Sequence, residues 1–471
     1  LSLNDYYKEK GKMKKLTAVM ILIALILSPM VAKGEVESKV VEVEETKPDG
    51  TVEVVWWTFH GKTNVGYFQK VIDAFNASQD DYHVTIEYQG SQNELIAKMQ
   101  STLKNELPAL FHCAIENIGM VIEADYAVSA QPYVDKDKAG WPELANTYES
   151  FYAASCDGDG NLVGYPSGVS YPTIYYNADM LAKAGIDPAS LTSFEKVLDA
   201  CRKLVNGGYA QYGIGFHTDA GYYVNAALAR EGVIAYDNKN GLEGNITKCL
   251  YKDGGVVEST LSKYLGFYKD LYKENLGVTF GANYSSEIIP LMAAEDCAMM
   301  LGVISMTTKL LTAVDNAFEV GVIPCPSVTE AGARAGEPSG GTWLFIADNG
   351  NKWAMQGGYE FMKFASKGEW AGYFAAATGY LAPSVDAFES EVYQNYMKNI
   401  FPGINTVYQS LESCKGDALM PICGVSAEIK NANKLAVETV CNDPTDATIA
   451  KAIKTAYDQI QEAIDLYNLA N

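Results

Sequence analysis

Residues 164–188 read GYPSGVSYPTIYYNADMLAKAGIDP, and they decide how the chain is divided. The run starts extended and passes Tyr165-Pro166, read as a proline-punctuated turn. Thr173, Ile174, Tyr175 and Tyr176 are all β-formers and predict a short strand. Asn177 is a capping residue for a helix predicted through Lys183, with Gly185 and Pro188 closing it. Before this stretch the pattern is one unit of alternating strands and helices, and after it another begins. A strand that leaves one lobe and enters the next predicts a hinge. Residues beside a hinge face the cleft between lobes, where ligands collect.

Working outward toward the N-terminus, residues 52–59 are a near-continuous apolar run, as in a parallel strand buried on both faces. Val65, Phe68, Val71, Ile72 and Phe75 then recur at helical spacing. Strands are predicted over 83–88 and 109–115, with helices over 93–106 and 141–152. Such alternation specifies a mostly parallel sheet flanked by helices. Residues 156–161, CDGDGN, space Asp157, Asp159 and Asn161 as a calcium loop would, but no Glu stands at the twelfth place; a hairpin turn is the preferred reading. On the other side of the hinge stretch, helices are predicted over 193–205, 221–231 and 258–276, with strands over 212–216 and 297–303. The last of these is read as a second crossing near 301–305. Residues 318–325 and 343–346 are then expected to return to the first lobe, and helices over 352–378 and 429–466 to complete the second. The resulting division is an N-terminal extension and signal peptide (1–34), a linker (35–50), lobe 1 (51–168 and 304–347) and lobe 2 (169–303 and 348–471).

The composition narrows the function. With 471 residues, 48% hydrophobic and 20% charged, the chain is globular and large enough for two domains. Its net charge of -22 repels nucleic acid and anionic lipid head groups, so neither is expected as a partner. Residues 1–12 read as an over-extended frame before Met13. Lys14 and Lys15, the apolar run 16–27 and Ala32-Lys33-Gly34 then form a secretory signal, cleaved between Val31 and Val36 or retained as a tether. The nine Cys are an odd number without metal-ligand spacing. Most are expected to be free and structural, with Cys414–Cys423 as the one bridge considered.

No G-x-S-x-G, H-E-x-x-H, phosphate-loop or dinucleotide pattern is present, and four His leave little for a metal site or a general base. No cofactor, metal or catalytic residue is therefore expected. Binding chemistry is better supplied. A solute rich in hydroxyls needs aromatic plates for its C–H faces and carboxylates, amides and hydroxyls for its rim. The chain has 31 Tyr and 6 Trp, many just after predicted strands, where α/β ligand sites form. The candidates are Trp57 and His60 after the first strand, Gln89, Ser91 and Glu94 after the second, and Glu116 after the third. Ser167, Ser170 and Tyr171 flank the hinge, with Ser305 at the second crossing. His217, Tyr222, Gly340, Gly341, Trp343 and Tyr380 complete the set. Each also has a structural reading: of Trp56 and Trp57 one belongs to the core, and Trp343 is core or cleft.

The segment YPTIYYNADMLAKAGIDP resembles the family 1 extracellular solute-binding proteins, which deliver sugars and related compounds to ABC importers. Four further stretches agree in order: WWTFHG with FNAS behind it, YQGSQNE, FEVGVIPCP followed by GGTWLFIA, and TGYLAPS. The branch most similar binds glycerol 3-phosphate. The resemblance implies an α/β, two-lobe periplasmic-binding-protein-like fold of type II, each lobe a sheet flanked by helices and joined by a hinge. It implies a monomer that closes on a solute and docks on separate permease subunits. It also favours His60, Glu94, Ser170, Gly341, Trp343 and Tyr380 as ligand contacts. Many Gram-positive relatives carry a lipid on a Cys behind the signal; no Cys precedes Cys113 here, so the membrane is reached only through the signal segment or the permease. The location expected is the periplasm or the outer face of the cytoplasmic membrane. Glycerol-phosphate binders hold the phosphate with a cation, often an Arg from the C-terminal part, and no Arg follows Arg334. The expected solute is therefore a mono- or oligosaccharide, with glycerol 3-phosphate or its diesters as the alternative and an exported carbohydrate-active enzyme as the competing class.

Overall fold

A computed structural model of the chain describes residues 47–470 except 158, 218–220, 281–283, 331–335, 339, 413–417 and 419. The expectations on residues 1–46 and on Cys414 lie outside the described residues, as does the side chain of His217. In chain order the strands are β1 (Val52–Thr58), β2 (Tyr82–Tyr88), β3 (Leu110–Ala114), β4 (Ala127–Val128), β5 (Gly164–Ser170), β6 (Pro172–Asn177), β7 (Tyr212–His217), β8 (Gly277–Phe280), β9 (Cys297–Val303), β10 (Val320–Pro324) and β11 (Gly340–Ala347). They form two sheets within Pro48–Asn471, ordered β2-β1-β3-β11-β4 with β5 beside β11, and β10-β6-β9-β7-β8.

The first sheet follows from its apolar runs. β1 pairs in parallel with β2 and β3, and it is buried on both faces except at Glu53 and, in part, Val55. Helix Lys62–Ser78 turns Phe68, Val71, Ile72 and Phe75 inward, as its spacing predicts. In the second sheet β7 runs parallel to β8 and β9, while β6 is antiparallel to both β9 and β10. Its core is completed by the C-terminal helices Ser426–Asn442 and Asp446–Ala470 through Ile429, Val437, Ile453 and Ile460.

The stretch of residues 164–188 passes from one sheet to the other, as its sequence predicts. β5 belongs to the first sheet and β6 to the second, with Tyr171 alone between them. The side chain of Asn177 accepts the N–H of Met180 at 3.0 Å and starts helix Ala178–Lys183. Tyr165-Pro166 is a correction: it lies inside β5, not in a turn. Pro166 sits opposite Trp343 where the register with β11 shifts, and Ser167 is the extra residue of that bulge. A bulge is one of the few places in a sheet that tolerates proline.

The second crossing is also corrected. β9 lies inside the second sheet, and the chain returns through helix Thr307–Val314 to β10, which pairs with β6 in that same sheet. Residues 318–325 therefore do not enter the first lobe. The chain changes sheets between β10 and β11. Helices Lys352–Ala365 and Gly368–Thr378 pack on the first sheet, not the second, placing Phe361, Met362 and Phe374 against Val54, Trp56 and Leu110. Gly357 makes this possible, since a Cβ there would meet Val54 and Tyr82 within 2.6 Å. The helix expected over 141–152 is two short ones, Pro142–Ala145 and Glu149–Ala153, parted where Thr147 bridges to Ser384. In CDGDGN, Asp157 accepts the N–H groups of Asp159 and Asn161 at 3.0 and 2.9 Å, and Cys156 bridges to Leu162, as a hairpin turn requires. Cys113, Cys156, Cys201, Cys249, Cys297 and Cys441 carry no disulfide. Among the described residues no helix is long and apolar enough to cross a membrane.

Candidate functional site

Two adjoining hollows of about 230 and 270 Å³ lie between the lobes and share Gln92, Glu116, Tyr222 and Lys430 as walls. The floor of the first is the junction of β5 and β6. Ser170 ends β5, and its Oγ accepts the N–H of Ser305 at 3.1 Å, tying the end of β5 to the turn after β9. Gly341 holds φ +107°, and a Cβ on it would meet the carbonyl oxygen of Gly168 at 2.1 Å. Only glycine fits, and it leaves the β11 backbone open to the cleft. Phe59 and Tyr380 line the first-lobe wall, with Tyr380 stacked on Phe374 at 6.0 Å.

The polar walls come from both lobes. Glu116 follows β3, and across from it Lys430 rises from helix Ser426–Asn442; their charged atoms are 3.7 Å apart. Beside this pair the Ser426 hydroxyl donates to Asn117 Oδ1 at 3.3 Å. Tyr222, on helix Gly221–Arg230 of the second lobe, reaches Gly340 so closely that a Cβ there would lie 2.3 Å from its hydroxyl oxygen. That hydroxyl is buried without a hydrogen-bond partner among the described residues, and burial, reinforced by the Glu116 charge, pushes its pKa well above the usual tyrosine value. Gln92, at the start of helix Gln92–Ser101, lines both hollows.

Of the residues expected from the sequence, Glu116, Ser170, Tyr222, Ser305, Gly341 and Tyr380 line the first hollow and Ser91 the second. Others do not reach the cleft. His60 is 7% exposed behind Phe59, packed edge-on to His112 at 5.0 Å. Its imidazole is held neutral, with the pKa lowered to about 3 by burial and then by Lys309. Glu94 is exposed, and its carboxylate accepts the N–H of Ser91 at 2.6 Å in a capping box. Tyr171 is fully buried, donating to the Val407 carbonyl at 2.5 Å. Trp343 is fully buried too, its indole N–H donating to Ser155 Oγ at 2.7 Å. Trp57 is likewise tied within the first lobe, to Glu87 at 3.0 Å.

The sequence reading missed Phe59, Gln92, Asn117, Asn225, Ser426 and Lys430. A signal existed for one. Ser91-Gln-Asn-Glu94 is a capping-box pattern, which assigns Glu94 to the helix and leaves Gln92 free to face the cleft. Lys430 had none, because its cleft partner lies more than 300 positions away in the chain. Among the described residues no group of three His, Cys, Asp or Glu is arranged to hold a metal ion.

The sequence profile of the family described as bacterial extracellular solute-binding protein matches residues 70–401. The sn-glycerol-3-phosphate-binding periplasmic protein UgpB of Agrobacterium fabrum is 25% identical over 349 residues, 72% of this chain and 75% of that protein. In fold the chain is similar to the sugar-binding protein MalE of Xanthomonas citri, with a TM-score of 0.71 and 17% identity over 89% of this chain and 99% of that one. It is similar to UgpB of Mycobacterium tuberculosis in complex with glycerophosphocholine, with a TM-score of 0.70 and 15% identity over 89% and 100%.

Proposed function

The chain belongs to the bacterial extracellular solute-binding proteins, and on that premise we propose that it captures a mono- or oligosaccharide between its lobes and hands it to the permease of an ABC importer. The carrying observation is the pairing of walls: Gln92 and Glu116 on one lobe face Tyr222 and Lys430 on the other, over a floor of Ser170, Ser305 and Gly341. A solute bridging them satisfies groups that neither lobe alone can satisfy, so it favours the closed arrangement. Phe59 and Tyr380 supply aromatic surface for the C–H faces of a sugar ring. Glu116 neutralises Lys430, so the cleft offers hydroxyl recognition without a surplus of positive charge.

The second reading is glycerol 3-phosphate or one of its diesters. Lys430 favours it, because an ammonium can hold a phosphate as a point charge once Glu116 is displaced. The relative from Agrobacterium fabrum, named for that solute, favours it as well. The saccharide reading is preferred because Glu116 would stand beside the phosphate.

In this proposal the protein is a monomer without turnover, exported to the periplasm or the outer cell surface. A thermal-shift screen of sugars, oligosaccharides and sn-glycerol 3-phosphate tests it, since a solute that binds only the native state raises Tm. At least one saccharide is expected to raise Tm without being converted to product. A response to sn-glycerol 3-phosphate alone, weakened by salt, would establish the second reading.

A further inference from the structure

Behind Glu116 the cleft adjoins an annex of about 120 Å³. Glu116, Met420 and Pro421 line both spaces, so the annex lies against the polar cleft. Its character differs from the cleft. Ile115, Ile118 and Ala154 come from the first lobe, with Ile422 packed against that lobe's core, and Leu242 comes from the second; among the described residues no aromatic ring faces it. We infer that the annex is a subsite for an uncharged alkyl substituent carried by the solute bound in the cleft. The inference rests on the cleft being the solute site.

Three observations select that occupant. The wall has aliphatic surface but no ring to stack on, which suits an alkyl chain better than a second sugar unit. The two carboxylates at its border are already paired, Glu116 with Lys430 and Glu337 with Arg230, so neither offers an uncompensated charge to a cationic group. The walls shared with the cleft, Glu116, Met420 and Pro421, place the annex beside the polar part of the solute, where a projecting substituent would lie. Its walls come from both lobes, so the substituent, like the polar part, is enclosed only when the lobes face each other.

The test is calorimetry on the full chain with paired probes. Maltose, D-glucose, D-glucitol and sn-glycerol 3-phosphate are each compared with an O-butyl derivative. Each methylene buried in the annex raises affinity about fourfold, so the butyl member of a binding pair is expected to bind about tenfold or more tightly than its parent. Ala154→Leu and Leu242→Phe fill the annex from opposite lobes; each should abolish the gain and leave the parent's affinity unchanged. A butyl derivative no tighter than a parent that binds would overturn the inference, as would a gain that survives both fillings. Methyl NMR of Ile115, Ile118 and Met420 with benzene judges the annex separately. Shifts that vanish in Ala154→Leu support an apolar site, and their absence overturns it. Benzene shifts without any butyl gain would mean that the annex takes a separate apolar molecule, which also defeats the inference. If no pair binds at all, the reading of the cleft has failed and the substituent fails with it, whatever benzene shows.

Discussion

Trp343 separates two kinds of aromatic residue in this chain. It has no exposed surface and spends its one donor on Ser155, so it is part of the first lobe's framework. Trp343→Ala should lower stability by about 3–5 kcal/mol, the scale for emptying a buried aromatic site, with solute affinity unchanged in whatever fraction stays folded. Urea unfolding and calorimetry on the same sample check both halves. His60 carries a pH signature. Its folded pKa of about 3 lies below the unfolded value of about 6.5, so the unfolded chain takes up a proton that the folded chain refuses. The stability that His60 contributes is complete above pH of about 6.5 and declines as pH falls toward its folded pKa. His112, also lowered by burial and by the nearby His60, acts in the same direction. Urea midpoints between pH of about 7 and 5, where carboxylates are silent, should fall with pH, and less steeply in His60→Asn.

Among the elements, the chain between β10 and β11 carries a buried ion pair. Glu337 meets Arg230 of helix Gly221–Arg230 and also Ser410, and Arg230 donates to the Gly336 carbonyl at 3.1 Å. Removing one partner strands a buried charge. Arg230→Met should destabilise the fold by about 3–5 kcal/mol, and adding Glu337→Met should recover most of the loss; chemical denaturation of the single and double variants decides this. The same change of sheets shows where the sequence stops being informative. The strand in VGVIP is buried at nearly every position, and such a run is equally at home in either sheet. Its partner β6 is set by tertiary packing that no local pattern encodes. The passage from β5 to β6 was legible for the opposite reason. Asn177 and the β-formers before it act on neighbours within a few residues, and local chemistry is written locally. Pro166 misled because a bulge and a turn call for the same residue type.

At the scale of the whole molecule, the two-lobe plan followed from ordered motifs, and the loops after strands led to Glu116, Ser170, Tyr222, Ser305, Gly341 and Tyr380, which line the cleft. What escaped was the side of the cleft supplied by residues far along the chain, Lys430 above all, because facing across a cleft leaves no periodicity. In the proposed function the solute is held by both lobes at once. Small-angle X-ray scattering during titration with the saccharide that raises Tm most tests it directly. The prediction is a radius of gyration that falls and saturates at one solute per chain. An unchanged radius at saturating, calorimetrically verified binding would contradict it.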